Sequence, residues 1–350
     1  MPTELRSGPL FVVGMWRSGT SLLYSLLNQH PQIGLMYEAD LFLLRSLFAG
    51  KGSKRDWLGR WEFWNSALSR HDIPTDRIPE AVPDLPAAAR AVWREYAGTS
   101  LVMGEKSPNY YDCLQTLSQE FPDARFLIIW RDPADICRSM VQARASASFF
   151  SKPGILHRAI IGYHKLKREC DALERRGVPL HQIQYEEMVA APGEVMTGVC
   201  EFLGIPFDPR MTSLQGSDRS AIYEGSHHNH VKGEKIINAR DRQGVLASNV
   251  ARKIERYVSY WREEYKGAWP RFPQDARRDC GHPGKVERFL DEQLFRSLRI
   301  LDKFTAFVYC YAPYSWLQGY RGFKSRRHRA SESVVKRSAL PKPSAVETRQ

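Results

Sequence analysis

Continuous apolar runs bounded by polar turns mark two stretches of the chain, Leu10 to Val13 and Ala124 to Trp130. Runs of this length without alternation are characteristic of strands buried on both faces. Shorter pieces at residues 101–103 and 181–185 read the same way. Elsewhere apolar positions recur at helical spacing. Leu22, Leu23, Leu26 and Leu27 share one face of a helix that opens near Gly19, and Ala190 to Leu203 reads as another helix. Parallel strands must be joined by long crossovers, so alternating strand and helix patterns predict a parallel sheet. The expected fold is α/β, a single domain with a central parallel sheet flanked by helices.

The turn after the first strand carries the strongest chemical signal. Pro9 to Leu23 reads PLFVVGMWRSGTSLL, a strand that runs into a basic, hydroxyl-rich turn and then a helix. Backbone N–H groups and the positive end of a helix dipole make such a unit a site for phosphate or sulfate. Gly14 and Gly19 permit the tight turn, Arg17 adds fixed charge, and Ser18, Thr20 and Ser21 add hydroxyl donors. The spacing approaches the G-x-x-x-x-G-K-[ST] loop of nucleoside triphosphatases, but Thr20 stands in place of the lysine. A kinase would then lack the charge that reaches its terminal phosphates. The unit is P-loop-like, with a different anion as its ligand.

Two later segments extend the picture. Arg131, Asp132 and Pro133 break the second long apolar run, and Pro133 suits the first turn of a helix. Ser139 lies eight positions after Arg131, on that helix. Between the two strand–helix units stands GEKSPNYYD, Gly104 to Asp112. RSGTS after a strand, the Glu-Lys-Ser-Pro segment and RFLIIWRDPADICRSM together resemble sulfotransferases that use 3′-phosphoadenosine 5′-phosphosulfate (PAPS). The resemblance is to bacterial-type members, with motifs like those of Golgi carbohydrate and protein-tyrosine sulfotransferases. It spans about Pro9 to Lys235.

What that resemblance implies can be set out residue by residue. Arg17, Ser18, Gly19, Thr20 and Ser21 would hold the 5′-phosphosulfate, and Arg131 with Ser139 the 3′-phosphate. Lys106 would lie near the oxygen bridging phosphate and sulfonate, where charge grows as the bond breaks. The histidine base of cytosolic relatives is replaced by Pro108. Glu38, twenty-one residues after Arg17, matches the base of protein-tyrosine sulfotransferases, and Asp40 is its rival. Tyr185 in HQIQYEEM would contact the adenine. Lys232, Gly233 and Lys235 would form a late cofactor loop. His227, His228 and His230 lack a fourth ligand at suitable spacing, so no metal is expected. The implied reaction passes a sulfonate to an acceptor hydroxyl on a carbohydrate or glycolipid. Tyrosine or a small phenol is the alternative acceptor, and a non-catalytic nucleotide-binding protein of the same fold the alternative class.

Composition frames the setting. Hydrophobic residues make up 43% of 350, enough for a large core, and the net charge is +12. Nine Lys or Arg against two Glu fall between Arg321 and Gln350, which suits an anionic partner. Nucleic acid is not the expected one. The domain reading is a sulfotransferase domain over 1–270, a helical extension over 271–320 and a basic, disordered tail over 321–350. Phe304 to Tyr320 reads as a packed helix, with a foot on an anionic membrane as the alternative. Six dispersed cysteines and the lack of a signal-peptide or membrane-spanning pattern predict a cytoplasmic protein, peripheral to the inner membrane in that alternative. Trp57, Trp61, Trp64 and Trp93 are candidates for an acceptor-binding aromatic wall.

Overall fold

The computed structural model describes residues 8–42, 68, 71–73, 85–144, 148–151, 155–218 and 220–222, with isolated positions between 233 and 300. Almost all belong to one unit, Met1–Leu298; of the second, Arg299–Gln350, Ile300 alone is described. Five strands form one sheet: β1 (Leu10–Gly14), β2 (Ile33–Tyr37), β3 (Val102–Lys106), β4 (Arg125–Trp130) and β5 (Leu180–Gln184). Their order is β2-β3-β1-β4-β5, and every pairing is parallel. The described helices are α1 (Thr20–Leu27), α2 (Leu85–Ala97), α3 (Leu114–Glu120), α4 (Pro133–Ala143), α5 (Ile155–Arg175), α6 (Tyr185–Ala190) and α7 (Pro192–Leu203).

Alternation along each strand sends successive side chains to opposite faces, and both faces are covered. Phe11 and Val13 of β1, with Phe126, Ile128 and Trp130 of β4, join a core that includes residues of α2, α3 and α5. Leu10 and Val12, with Leu127 and Ile129, join a second core shared with α1 and α7. This is why β1 and β4 read as unbroken apolar runs. Phe11 anchors the first core, its ring 5.4–5.9 Å from those of Trp93, Tyr110, Phe121 and Phe126. Where β1 meets β3, Gly104 has φ 147°, and a Cβ there would stand 2.0 Å from the Leu10 carbonyl oxygen. Glycine is required for that approach.

The expected α/β architecture is present, with local differences. The hydrophobic pattern does not mark β2; IGLMY carries a glycine and weak patterning, and its pairing with β3 makes it a strand. β3 runs three residues further than the apolar piece, through Gly104, Glu105 and Lys106, because its neighbours on both sides offer backbone partners. The fifth strand ends at Gln184, and Tyr185 opens α6 instead of closing the strand. The helix expected over Ala190 to Leu203 begins at Pro192, as α7. Trp93 packs inside the first core and belongs to no acceptor wall. Trp57, Trp61 and Trp64 lie outside the described residues, as do Phe304 to Tyr320 and the basic tail. Cys113, Cys137, Cys170 and Cys200 are buried free thiols. No described helix is long and apolar enough to cross a membrane.

Glu105 is an anomaly in this core. Its side chain is fully buried, accepts a hydrogen bond from Trp93 Nε1 at 3.1 Å, and is pushed up to about 7, chiefly by burial and then by Asp40. The folded chain therefore holds a proton there that the unfolded chain releases at lower pH. Stability contributed by neutral Glu105 is present at low pH and is lost as pH rises from about 4.5 to 7. Thermal unfolding measured across pH 5 to 8 is expected to fall through that window. Glu105→Gln should flatten the fall, by about 1.4 kcal/mol for each pKa unit of the displacement. An unchanged slope in the variant would show that other groups set it.

Candidate functional site

Ligands of open parallel sheets bind outside the carboxyl ends of the strands. Here β1 ends at Gly14, β2 at Tyr37, β3 at Lys106 and β4 at Trp130. Arg17, Glu38, Lys106 and Arg131 stand at or just beyond these ends.

The loop from Met15 to Gly19 turns tightly, with the Ser18 N–H donating to the Met15 carbonyl at 2.9 Å. Arg17 takes a left-handed φ of 69°, and Gly19 caps α1 at φ 102°. Such conformations in a non-glycine residue are costly and cluster at ligand sites. Ser18 Oγ is fully buried with no hydrogen-bond partner. Two motifs 114 residues apart then join, since Arg131 NH1 donates to the Arg17 carbonyl at 2.9 Å. Arg17 Nε also donates to Ser139 Oγ at 3.0 Å. The Tyr185 ring lies 4.4 Å from the Arg131 guanidinium, and a Cβ on Gly19 would meet that ring at 2.4 Å. Arg17, Gly19, Arg131, Ser139 and Tyr185 thus form one cluster.

Its electrostatics point to an anion. Arg17 is lowered to about 10, first by burial and then by the charge of Arg131. Arg131 is 5% exposed, and its Nε is buried without a hydrogen-bond partner. Two guanidiniums, an orphaned guanidinium N–H and an orphaned serine hydroxyl fit phosphate or sulfate, whose oxygens accept several charged hydrogen bonds at once. The donor implied by the sequence resemblance fits these residues. Asp132 caps α4, where it accepts from the Ala134 N–H at 2.7 Å.

A second cluster adjoins it through Ser21. Lys106 is fully buried, and its Nζ donates to Ser21 Oγ at 3.3 Å and to Glu38 Oε1 at 2.5 Å. It also lies 3.7 Å from the centre of the Tyr37 ring, a cation–π contact. Tyr37 OH and Ser21 Oγ share a hydrogen bond of 2.8 Å. The Glu38 N–H donates to the Lys106 carbonyl at 2.8 Å, which fastens the turn after β2 to the end of β3. Glu38 retains 17% of its side-chain exposure, so its carboxylate faces both the lysine and solvent.

Asp40 does different work. Ser107 Oγ donates to its Oδ1, and Asn109 Nδ2 donates to its Oδ2 at 2.9 Å. Burial is the main cause that raises it to about 6. Thr20 is buried at the first turn of α1. Gly233 is exposed, whereas Lys232, Lys235, His227, His228 and His230 lie outside the described residues. Among the described residues no group of three His, Cys, Asp or Glu could hold a metal. Sequence reasoning missed Tyr37, Ser107, Asn109 and Trp16. Asn109 and Ser107 stand within the quoted GEKSPNYYD segment and Trp16 within PLFVVGMWRSGTSLL, but neither motif singles them out.

A profile of the sulfotransferase family matches residues 9–209. The chain is 22% identical over 278 residues to protein-tyrosine sulfotransferase 1 of Danio rerio, covering 77% of this chain and 68% of that protein. It is 21% identical over 283 residues to protein-tyrosine sulfotransferase 2 of Gallus gallus, covering 78% and 66%. The chain thus spans about two thirds of these relatives' length. Among solved structures, the sulfotransferase domain from the curacin biosynthetic pathway superposes with a TM-score of 0.49 at 16% identity, over 72% of this chain and 97% of that one.

Gly19→Ala tests the anion loop. The added methyl would be strained by the backbone and would strike Tyr185. Strain of ~1–3 kcal/mol in the binding conformation predicts about a 5- to 150-fold loss of affinity for adenosine 3′,5′-bisphosphate by calorimetry. Wild-type affinity in the variant would separate this loop from phosphate binding.

Proposed function

Since the chain belongs to the sulfotransferase family, we propose that it transfers the sulfonate of PAPS to an acceptor hydroxyl, with Glu38 as base and Lys106 as the cation that stabilises the leaving phosphate. One observation carries this reading. Lys106 Nζ touches Glu38 and, at the same time, Ser21 in the first turn of α1 directly after the anion loop, so one buried ammonium would link the place of the leaving group to the place of the base.

The donor supplies the activated sulfonate when bound, and the side chains do the rest. Arg17 and the loop hydroxyls hold its 5′ end. Arg131 and Ser139 grip the 3′-phosphate, with Tyr185 beside the adenosine. From the sequence resemblance alone, Lys232, Gly233 and Lys235 would belong to a late cofactor loop. Glu38 accepts the proton of the acceptor hydroxyl on a carboxylate oxygen, which makes the hydroxyl oxygen a nucleophile. Lys106 offers charge where charge accumulates, a contribution larger in the transition state than before it. Two clamps on the donor and one base on the acceptor impose the in-line geometry. Cationic side chains take the part that Mg²⁺ plays in kinases, so the proposal includes no metal.

The acceptor follows from weaker support. The names of the matched relatives favour a tyrosine hydroxyl. A carbohydrate or glycolipid hydroxyl is the second reading; of its four candidate tryptophans Trp93 lies in the core, and Trp57, Trp61 and Trp64 lie outside the described residues. The dispersed cysteines favour the cytoplasm, and the basic residues of 321–350 suit contact with an anionic membrane.

Adenosine 3′,5′-bisphosphate should raise the melting temperature well above any effect of AMP or ATP. Arg131→Ala should remove most of that gain, a charged hydrogen bond being worth ~1.5–3 kcal/mol. Equal stabilisation by ATP would sink the donor assignment. Turnover is best read with PAPS and an acidic tyrosine peptide, and an oligosaccharide in parallel. Glu38→Gln should bind the bisphosphate normally yet lose ~10²–10⁴ in turnover. Lys106→Ala should behave alike. Near wild-type transfer by Glu38→Gln would move the base elsewhere.

A further inference from the structure

Three loops meet at the site: Met15 to Gly19 with Arg17, the turn after β2 with Glu38, and the turn after β3 that follows Lys106. One side chain is tied to all three. Asn109, in the short 3₁₀ turn Pro108–Tyr110, donates from Nδ2 to Asp40 Oδ2 at 2.9 Å and accepts at Oδ1 from Trp16 Nε1 at 3.0 Å. Its backbone N–H donates to Ser107 Oγ at 3.1 Å, and that hydroxyl donates onward to Asp40 Oδ1. The indole N–H can only donate, so it fixes which end of the Asn109 amide faces Trp16. The opposite end must then present N–H to position 40, where only an acceptor fits.

The turn held in this way is strained. Glu38 has φ 46° and Asp40 has φ 54°, two non-glycine residues in the left-handed region within three positions. Such conformations persist only where the surroundings over-determine them. Both Asp40 oxygens are taken up by Ser107 and Asn109, which leaves Glu38 as the carboxylate directed at Lys106.

We propose that Trp16, Asn109 and Asp40 form a clasp that positions Glu38 against Lys106, with Asp40 a positioning residue whose carboxylate accepts no proton from the acceptor. The inference rests on the assignment of Glu38 and Lys106 given above. A clasp of this kind explains why a strained carboxylate turn stays in register with β3. It also separates the two acidic candidates, Glu38 for proton transfer and Asp40 for geometry.

The test exchanges the two partners. Asp40→Asn leaves one amide oxygen for two donors, so it can accept from Ser107 or from Asn109 but not from both, and Asn109→Asp sets carboxylate against carboxylate. The double variant Asp40→Asn with Asn109→Asp restores every bond. Ser107 then donates to the amide oxygen at position 40, the amide N–H there donates to the carboxylate at position 109, and Trp16 donates to that same carboxylate. With PAPS and an acidic tyrosine peptide, each single variant is expected to lose ~10–100-fold in kcat, the usual cost of a misplaced catalytic group, while affinity for adenosine 3′,5′-bisphosphate holds. The double variant should recover to within about threefold of wild type, because the two sites act as one unit. Hydrogen exchange at the Glu38 amide, which needs no acceptor, should speed up in the single variants and slow again in the double. Single variants with unchanged turnover and exchange would overturn the clasp. So would a double variant as impaired as Asp40→Asn, since the carboxylate itself would then be needed at position 40. If the wild type transfers no sulfonate at all, the reading of the site fails, and the exchange pattern decides the clasp by itself.

Discussion

β1 is hydrogen-bonded on both sides, to β3 through the register Leu10↔Gly104 to Val12↔Lys106 and to β4 through Leu10↔Arg125 to Gly14↔Ile129. In a parallel sheet all carboxyl ends lie along one edge. This pairing puts the turn after Gly14, the ammonium of Lys106 and the guanidinium of Arg131 side by side, although they are far apart in sequence. The rest of the site depends on it. Phe11 and Val13 lock β1 into one layer and Leu10 and Val12 into the other, so the strand can neither shift nor rotate without emptying a core.

The site divides its charges into two neighbourhoods. Around Arg17 and Arg131, like charges stand close, with an orphaned N–H and an orphaned hydroxyl beside them. That excess is unfavourable in the protein alone and favourable with a dianionic ligand. Around Lys106 the charge is met by Glu38 and by the face of Tyr37. The first neighbourhood suits an anion; the second suits a proton and a developing negative charge. Tyr37 joins them, since its hydroxyl shares a hydrogen bond with Ser21 beside Lys106 and interacts electrostatically with Arg17.

Carboxylates illustrate how environment separates roles within one residue type. Glu105 and Lys106 are adjacent on β3, and the pleat sends them to opposite faces. Glu105 enters the apolar layer beside Trp93, where burial favours its neutral form. Asp40 is enclosed by donors that hold it in place. Glu38 keeps a path to solvent, as the role proposed for it would require.

Much of this was legible in the chain. Strands buried on both faces advertise themselves, so β1 and β4 could be read with their turns, and Arg17, Arg131, Ser139, Lys106 and Glu38 stood out through short local motifs. β2 and the far end of β3 could not be read, because IGLMY and GEK become strands through hydrogen bonds to neighbours, and no local pattern encodes a neighbour. Tyr185 was visible as a candidate, but its place at the start of α6, against Gly19 and Arg131, was not. By itself the sequence determined the fold class, the anion loop and the kinds of side chain in the site, since periodicity and motif spacing are local properties. Only the tertiary structure decided which of Glu38 and Asp40 touches Lys106, and that Asn109 and Trp16 tie their loops together. Those outcomes depend on strand register and on strained backbone angles, which arise only when distant segments pack.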